Sequence, residues 1–423
     1  MKIGSGGQVA SNPYSASSPF APSEANSSQR IVFHAGAYPS AGTCGRCHVA
    51  IHDNWQSSLH RLSASDAWYL KTKDLLAFEE GAPAVRLCAG CHAPVSLMTG
   101  EVGLYSSEAA SIREGITCSF CHTLSAVNGG NAKYVSNPGG IRPYPQGDYL
   151  AESGIQPAAH LVMLDPAQHR ADMLKPFYRT SQFCQSCHEL TLNNVKLQST
   201  FSEWAASSYA QKGVTCQGCH FTPGAGPTTE VGRLVEHYPD TRSGILRHSL
   251  GGGSVTIGTR DNRSELKDAL KLSARVERGR LLVTVRNVLA GHSVPTGVSD
   301  LRELWVEVTG QDVNGRKVFH SGHLDAAEGI QPGSTVFHMV LGDESGRPLV
   351  RHDIWRARSV LSDTRIPADG QRVVTYPLPT TVRHLHVRLL WRDAPSEFQA
   401  IVVQGATRPA AVLTLADWQH ESP

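Results

Sequence analysis

CGRCHVAIHDNWQSSLH, residues 44–60, carries two signals that govern the reading of the whole chain. The first is its opening pentapeptide, Cys44-x-x-Cys47-His48. The same pattern recurs at Cys88, Cys91 and His92, at Cys118, Cys121 and His122, at Cys184, Cys187 and His188, and at Cys216, Cys219 and His220. Together the five segments use all ten Cys of the 423 residues. Multiplying residue frequencies along the template gives about 0.01 occurrences expected by chance. The second signal is apolar spacing. Ile51, Trp55 and Leu59 recur at i, i+4 and i+8, which predicts a helix over 49–62 that carries His60.

The chemistry that needs this spacing is covalent haem attachment. Two thiols three positions apart reach the two vinyl groups of one macrocycle, and the adjoining His meets the iron as proximal ligand. A structural zinc site asks for C-x-x-C pairs without an obligatory following His. A thioredoxin-like redox pair accounts for one C-x-x-C and not five. Disulfides between motifs would leave the five His unexplained. The expected cofactors are therefore five haem c groups, with iron as the metal.

Composition agrees. Aromatic residues make up only 7% of the chain, and the first half is poor in long apolar runs. Large apolar macrocycles would supply the missing core. Lys+Arg (39) nearly balances Asp+Glu (37), which excludes a general nucleic-acid binder. Two carboxylates per haem would make the assembled protein acidic. No apolar run approaches the roughly 20 residues of a membrane span. The Ser-, Ala-, Pro- and Gly-rich N-terminus lacks the apolar h-region of a signal peptide, so the export signal that haem attachment requires is expected upstream of it or removed.

Five of the twenty His serve as proximal ligands, which leaves fifteen for the opposite face of the irons. The internal Met are Met98, Met163, Met173 and Met339. His is thus the expected sixth ligand, and two imidazoles per iron give lower potentials than His with Met. The candidates are His60, His248 among small neighbours in RHSLGG, His292 in the Gly- and Pro-bounded loop AGHSVPTG, His169 fifteen residues before Cys184, and His160, which competes with it. His34 and His237 rank below these, and His52 is expected to flank the first haem. The second motif has no obvious nearby His. Met98 or an open position is the alternative there.

Three segments follow. Residues 1–40 read as a disordered leader, 41–255 as a cytochrome domain of short helices and loops, and 256–423 as an all-β, sandwich-like domain. A further helix is expected around 201–212 and a hinge at 251–254. Strands are expected at 281–288, 303–309, 317–321, 335–341, 372–376 and 384–391, with Asn314-Gly315 as a hairpin turn. Successive first Cys are 44, 30, 66 and 32 residues apart. The two short intervals predict tight pairs of haems two with three and four with five.

The opening stretch resembles that of the multihaem cytochrome c family that includes the tetrahaem cytochrome of ammonia-oxidising bacteria. There a C-x-x-C-H is followed by Trp, Ser and a ligand His, matched here by Trp55, Ser58 and His60. CAGCHAPVSL, EGITCSFCHT, SQFCQSCHEL, STFSEWAASSYAQKGVTCQGCH and RHSLGG are similar to segments of larger members. VTVRNVLAGHSVPTGVSDLRELWVEVTG resembles the β-domain fused to many of them. The resemblance covers about residues 40–400. It implies periplasmic or extracellular electron transfer with redox partner proteins, self-assembly or other cytochromes among the partners, and no direct membrane span. A redox enzyme acting on a small nitrogen or sulfur compound is the alternative. It needs a five-coordinate haem. The C-x-x-C-K motif of one multihaem nitrite-reductase class is missing.

Overall fold

The computed structural model describes residues 18–46, 48–102, 114–138, 166–221, 223–227, 241–250, 266–402 and 411–421. The region up to residue 250 is built from short helices, and the region from 266 onward is rich in β-sheet. The expected hinge and the boundary near residue 255 fall outside the described residues.

Among the described residues, ten strands make the β-rich region: β1 (Leu270–Glu277), β2 (Arg280–Asn287), β3 (Glu303–Gln311), β4 (Lys317–Ser321), β5 (Val336–Phe337), β6 (Met339–Gly342), β7 (Ser359–Asp363), β8 (Gln371–Pro377), β9 (His384–Arg392) and β10 (Leu413–Glu421). One sheet runs β4-β3-β9-β10, with β5 also paired to β3. A second runs β8-β2-β1, and β6 pairs with β7. All these pairings are antiparallel, and none of these described sheets closes into a barrel. Period-two alternation explains the packing. Leu281, Val283 and Val285 of β2 face Leu304, Val306 and Val308 of β3 and Leu385, Val387 and Leu389 of β9 in one apolar cluster shared by the two larger sheets. Leu304 is fully buried there, and its replacement by Ala would cost about 2–5 kcal/mol. The Asn314-Gly315 turn joins β3 to β4 with Gly315 at φ 78°, a left-handed conformation that glycine adopts without steric cost.

Sequence spacing finds β2, β3, β4, β8 and β9 closely. The single strand expected at 335–341 is two, β5 and β6, which pair with different partners. The helix expected over 49–62 breaks into Val49–Gln56 and Leu59–Leu62. Ser58 stops it by capping the second piece, its hydroxyl accepting from the Arg61 amide at 3.2 Å. The helix expected over 201–212 likewise divides into Thr200–Ala205 and Ser208–Gln211.

The disordered leader expected over 1–40 needs correction from residue 18 onward. Phe20 is fully buried with Ala25 and Tyr38 in the core of the helical region. Asn26–Ser27 adds a parallel strand to Tyr134–Ser136. Phe20, Phe33 and Tyr38 anchor the segment to that core, and burying a Phe contributes roughly 1.5–3 kcal/mol.

The two regions meet over three apolar clusters. Val195 and Leu197 pack on Met339, Leu341 and Ala357. Trp68 packs on Leu301 and Phe398. Leu76 and Ala84 pack on Trp355, with Cys88 at the edge.

Candidate haem-binding site

Each motif lies on or beside a short helical turn. These are Ala41–Gly45, Arg86–His92, Cys118–Thr123, Gln182–His188 and Cys216–His220. Three are capped by a hydroxyl that accepts an amide of the first turn: Ser40 from Thr43, Thr117 from Phe120 and Thr215 from Gly218. A turn of helix puts two Cys three residues apart on one face, with the following His beside them.

Three motif imidazoles face an imidazole from elsewhere in the chain. His48 faces His169 with ring centroids 6.3 Å apart and planes 19° apart. His60 faces His188 at 6.2 Å and 42°. His220 faces His292 at 6.3 Å and 9°. A metal–imidazole bond is about 2.0–2.1 Å, so two imidazoles on opposite sides of one ion hold their ring centres roughly 6 Å apart. The spacing fits an iron between each pair and is too wide for direct ring stacking.

The electrostatics fit as well. His60 is pushed down to about 3, chiefly by burial and then by His188 and other neighbouring imidazoles. His188 falls to about 4 by burial and then by His220, and His292 falls chiefly by burial. Neutral imidazoles keep the lone pair that a metal requires. Several hold the other ring nitrogen on an oxygen: His92 Nδ1 on Ser63 O at 3.0 Å, His122 Nδ1 on Met173 O, His248 Nδ1 on Leu246 O at 2.7 Å and His292 Nδ1 on Ser293 O at 3.0 Å. That bond fixes the tautomer and turns Nε2 toward a metal.

The thiols cross-connect the motifs. Cys44 lies beside Cys118, Cys91 beside Cys187, and Cys184 beside Cys216, each a free thiol. The last contact joins the fourth motif to the fifth. The second and third share an apolar cluster through Ala89, Cys91, Phe120 and Cys121, but their thiols meet the fourth and first. Burial pushes Cys88 and Cys121 up to about 12. Beside Cys88, Lys73 is buried with its ammonium 3.5 Å from Asp74, and the hydroxyl of Thr72 is buried with no hydrogen-bond partner among the described residues.

The other sequence candidates distribute as follows. His248 stands near His122, is pushed to about 4 mainly by burial, and packs edge-on to Phe221 at 4.9 Å. His52 lies over Gly45 of the first motif and beside Trp55. His34 is exposed. Met98 is fully buried in the apolar core among Phe20 and Val95 and is not poised as a ligand. His160, His237 and Cys47 lie outside the described residues.

Sequence reasoning missed two features around the second motif. Tyr69 stacks on His92 at 4.5 Å and 8°. His352, held at Nδ1 by Asp300 at 2.7 Å, lies three residues before Trp355, whose cluster has Cys88 at its edge. Both are contacts between residues far apart in sequence, and no local pattern marks them.

The arrangement suits haem iron held at repeated C-x-x-C-H segments. Residues 43–123 match the family described as cytochrome c554 and c-prime. A penta-heme cytochrome c552 from Thermochromatium tepidum shares the fold, with a TM-score of 0.65 at 22% identity over 91% of this chain and 99% of that one. No curated protein sequence matches. The family match spans residues 43–123, and the likeness to the penta-heme cytochrome is one of fold. No described helix is long and apolar enough to cross a membrane.

Proposed function

We propose that this chain is an electron-transfer cytochrome that carries five covalently bound haems, one at each C-x-x-C-H segment, most of them ligated by two His. The observation that carries the reading is the set of three facing imidazole pairs, each joining a motif His to a distant one at 6.2–6.3 Å. Bound haem iron supplies a one-electron couple. The chain's own residues tether it through paired thiols, hold neutral imidazoles on opposite sides, and so favour a low potential. The motif contacts join first to third, third to second, second to fourth and fourth to fifth, which brings all five attachment points into one connected row.

The organisation that suits this role is a cytochrome part over 41–255 and a β-sandwich-like part over 256–423. The second part supplies His292 and covers the first. The cofactor class and the family point to a periplasmic or extracellular protein that exchanges electrons with redox partners. Low-temperature EPR of the oxidised protein tests the reading. The expected spectrum is predominantly low-spin, and carbon monoxide leaves most of the ferrous haem unchanged. A predominantly high-spin, carbon monoxide-reactive protein contradicts it and favours small-molecule redox catalysis.

A further inference from the structure

The three facing pairs are not alike. The rings of His220 and His292 lie 9° apart and those of His48 and His169 19°, whereas His60 and His188 are turned 42° from each other at a like spacing. The twist is held by the backbone on both sides. The carbonyl of His60 accepts from the Ile116 amide and the Ser63 hydroxyl, each at 2.9 Å, and Trp55 Nε1 donates to the Ile116 carbonyl at 2.8 Å. A Cβ on Gly115 would meet the His60 carbonyl at 2.5 Å, so the helix Leu59–Leu62 sits hard against that stretch of chain. On the other side the Asn131 amide donates to the Glu189 carbonyl at 2.8 Å and the Ala132 amide to the Ser186 carbonyl at 2.7 Å, which fixes the end of the helix that carries His188.

His188 also differs in what its second ring nitrogen meets. His92, His122, His248 and His292 hold Nδ1 on a backbone carbonyl. His188 Nδ1 faces the side-chain amide of Gln198, at 3.4 Å. With Nε2 on a metal, Nδ1 carries the proton, so the amide presents its oxygen, and at that length the bond is weak. Gln198 is placed by a hairpin of Leu190–Leu192 with Val195–Gln198, in which it pairs with Leu190. Alternation orients the second strand. Val195 and Leu197 pack on Met339, Leu341 and Ala357, and Lys196 Nζ lies 3.1 Å from the carboxylate of Glu189, next to His188.

Both features move a potential the same way. A strong hydrogen bond at Nδ1 makes an imidazole more basic and favours oxidised iron, so a weak one raises the potential. Parallel imidazole planes concentrate π donation in one iron d orbital, which stabilises the ferric state. Turning the planes spreads that donation, favours the reduced state and lifts the largest g value of the ferric iron. We propose that the iron held between His60 and His188 has the highest potential of the three facing pairs, so that electrons moving through the protein settle there, and that Gln198 is the positioning residue that sets it through His188. The assignment rests on the reading that each facing pair shares one haem iron. The thiols of the fourth motif lie beside those of the second and the fifth, so this centre stands within the row and not at its end.

The test is an EPR-monitored redox titration of the wild-type holoprotein and of H60A, H169A, H292A, Q198L and Q198E, each checked for full haem content by the pyridine haemochrome assay. The three His variants assign the signals, because each is expected to lose one low-spin signal. The signal lost in H60A should have the largest g value of the three and be the first to vanish on reduction. Q198L removes the acceptor and should raise the potential of that centre alone, by about two- to tenfold in its reduction equilibrium, the worth of one hydrogen bond. Q198E offers a stronger acceptor and should lower it. If the signal lost in H60A outlasts either of the others on reduction, the assignment is overturned. Gln198 variants that leave that potential unmoved, or move all three alike, overturn the role of Gln198. H60A with full haem content and an unaltered spectrum overturns the reading beneath the proposal instead.

Discussion

Replacing Arg365 by Met tests how firmly the two regions are joined around His292. Arg365 is 5% exposed and Glu203 15% exposed, and they meet at 2.8 Å across the boundary. The carboxylate also accepts from the Ser293 amide at 2.9 Å and the Ser199 hydroxyl at 2.7 Å, so it ties the His292 loop to the helix Thr200–Ala205. Removing one partner of a buried pair costs about 3–5 kcal/mol, because the other charge stays buried. Glu203 would keep its two remaining donors, which places the expected loss at about 3 kcal/mol, the low end of that range. The bond from Arg365 to Asp363 adds little, since that carboxylate is 38% exposed and screened. The assay is denaturant unfolding of the holoprotein followed by circular dichroism, beside Arg316→Met. Arg316 is 77% exposed against Asp312, and its loss should cost less than about 1 kcal/mol. Equal midpoint shifts in the two variants would refute the reasoning.

Three further outcomes are expected. His292→Ala should turn one haem in five high-spin, and external imidazole should reverse the change; an unaltered EPR spectrum with full haem content removes His292 as a ligand. Gly90→Ala should destabilise by about 1–3 kcal/mol through overpacking, because a Cβ there meets Ser23 Oγ and lies 2.8 Å from Ala132 Cβ; Gly218→Ala, at the same place in its own motif with neighbours at 3.7 Å or more, should be tolerated, and equal melting temperatures would contradict the difference. Acid should weaken the fold. His60, His188 and His248 are held at about 3, 4 and 4 against 6.5 when free, so the unfolded chain binds the extra protons. Stability is therefore full above 6.5 and lost progressively toward 3–4. The denaturant midpoint at about pH 5 should lie below that at about pH 7, and the reverse order would contradict the sign.

Much of this was legible in the residues. The five motifs are local patterns, and His60, His169 and His292 sit where helical spacing, nearness to a motif or a Gly- and Pro-bounded loop drew attention to them. Strand β2 alternates cleanly because one of its faces lies on the core, and β3 and β9 carry the same apolar spacing in Leu304, Val306, Val308, Leu385, Val387 and Leu389. Strands β1, β7 and β10 lie at sheet edges with polar residues facing outward, which blurs the alternation, and none of them was expected. The break at Ser57–Ser58 was readable as a cap but was overridden by the longer apolar spacing through Leu59. The anchoring of Phe20 and the bond of His352 to Asp300 depend on contacts between distant residues. The crossing of thiol contacts likewise follows the packing of the motif helices and not the length of chain between them.

Intact mass spectrometry of the mature holoprotein, with haem assigned to its proteolytic peptides, tests the central claim most directly. The account predicts the polypeptide plus five haems, two thioethers on each C-x-x-C-H peptide and no free thiol. A bare polypeptide, a bound zinc, or any of the five motif peptides without haem would contradict it.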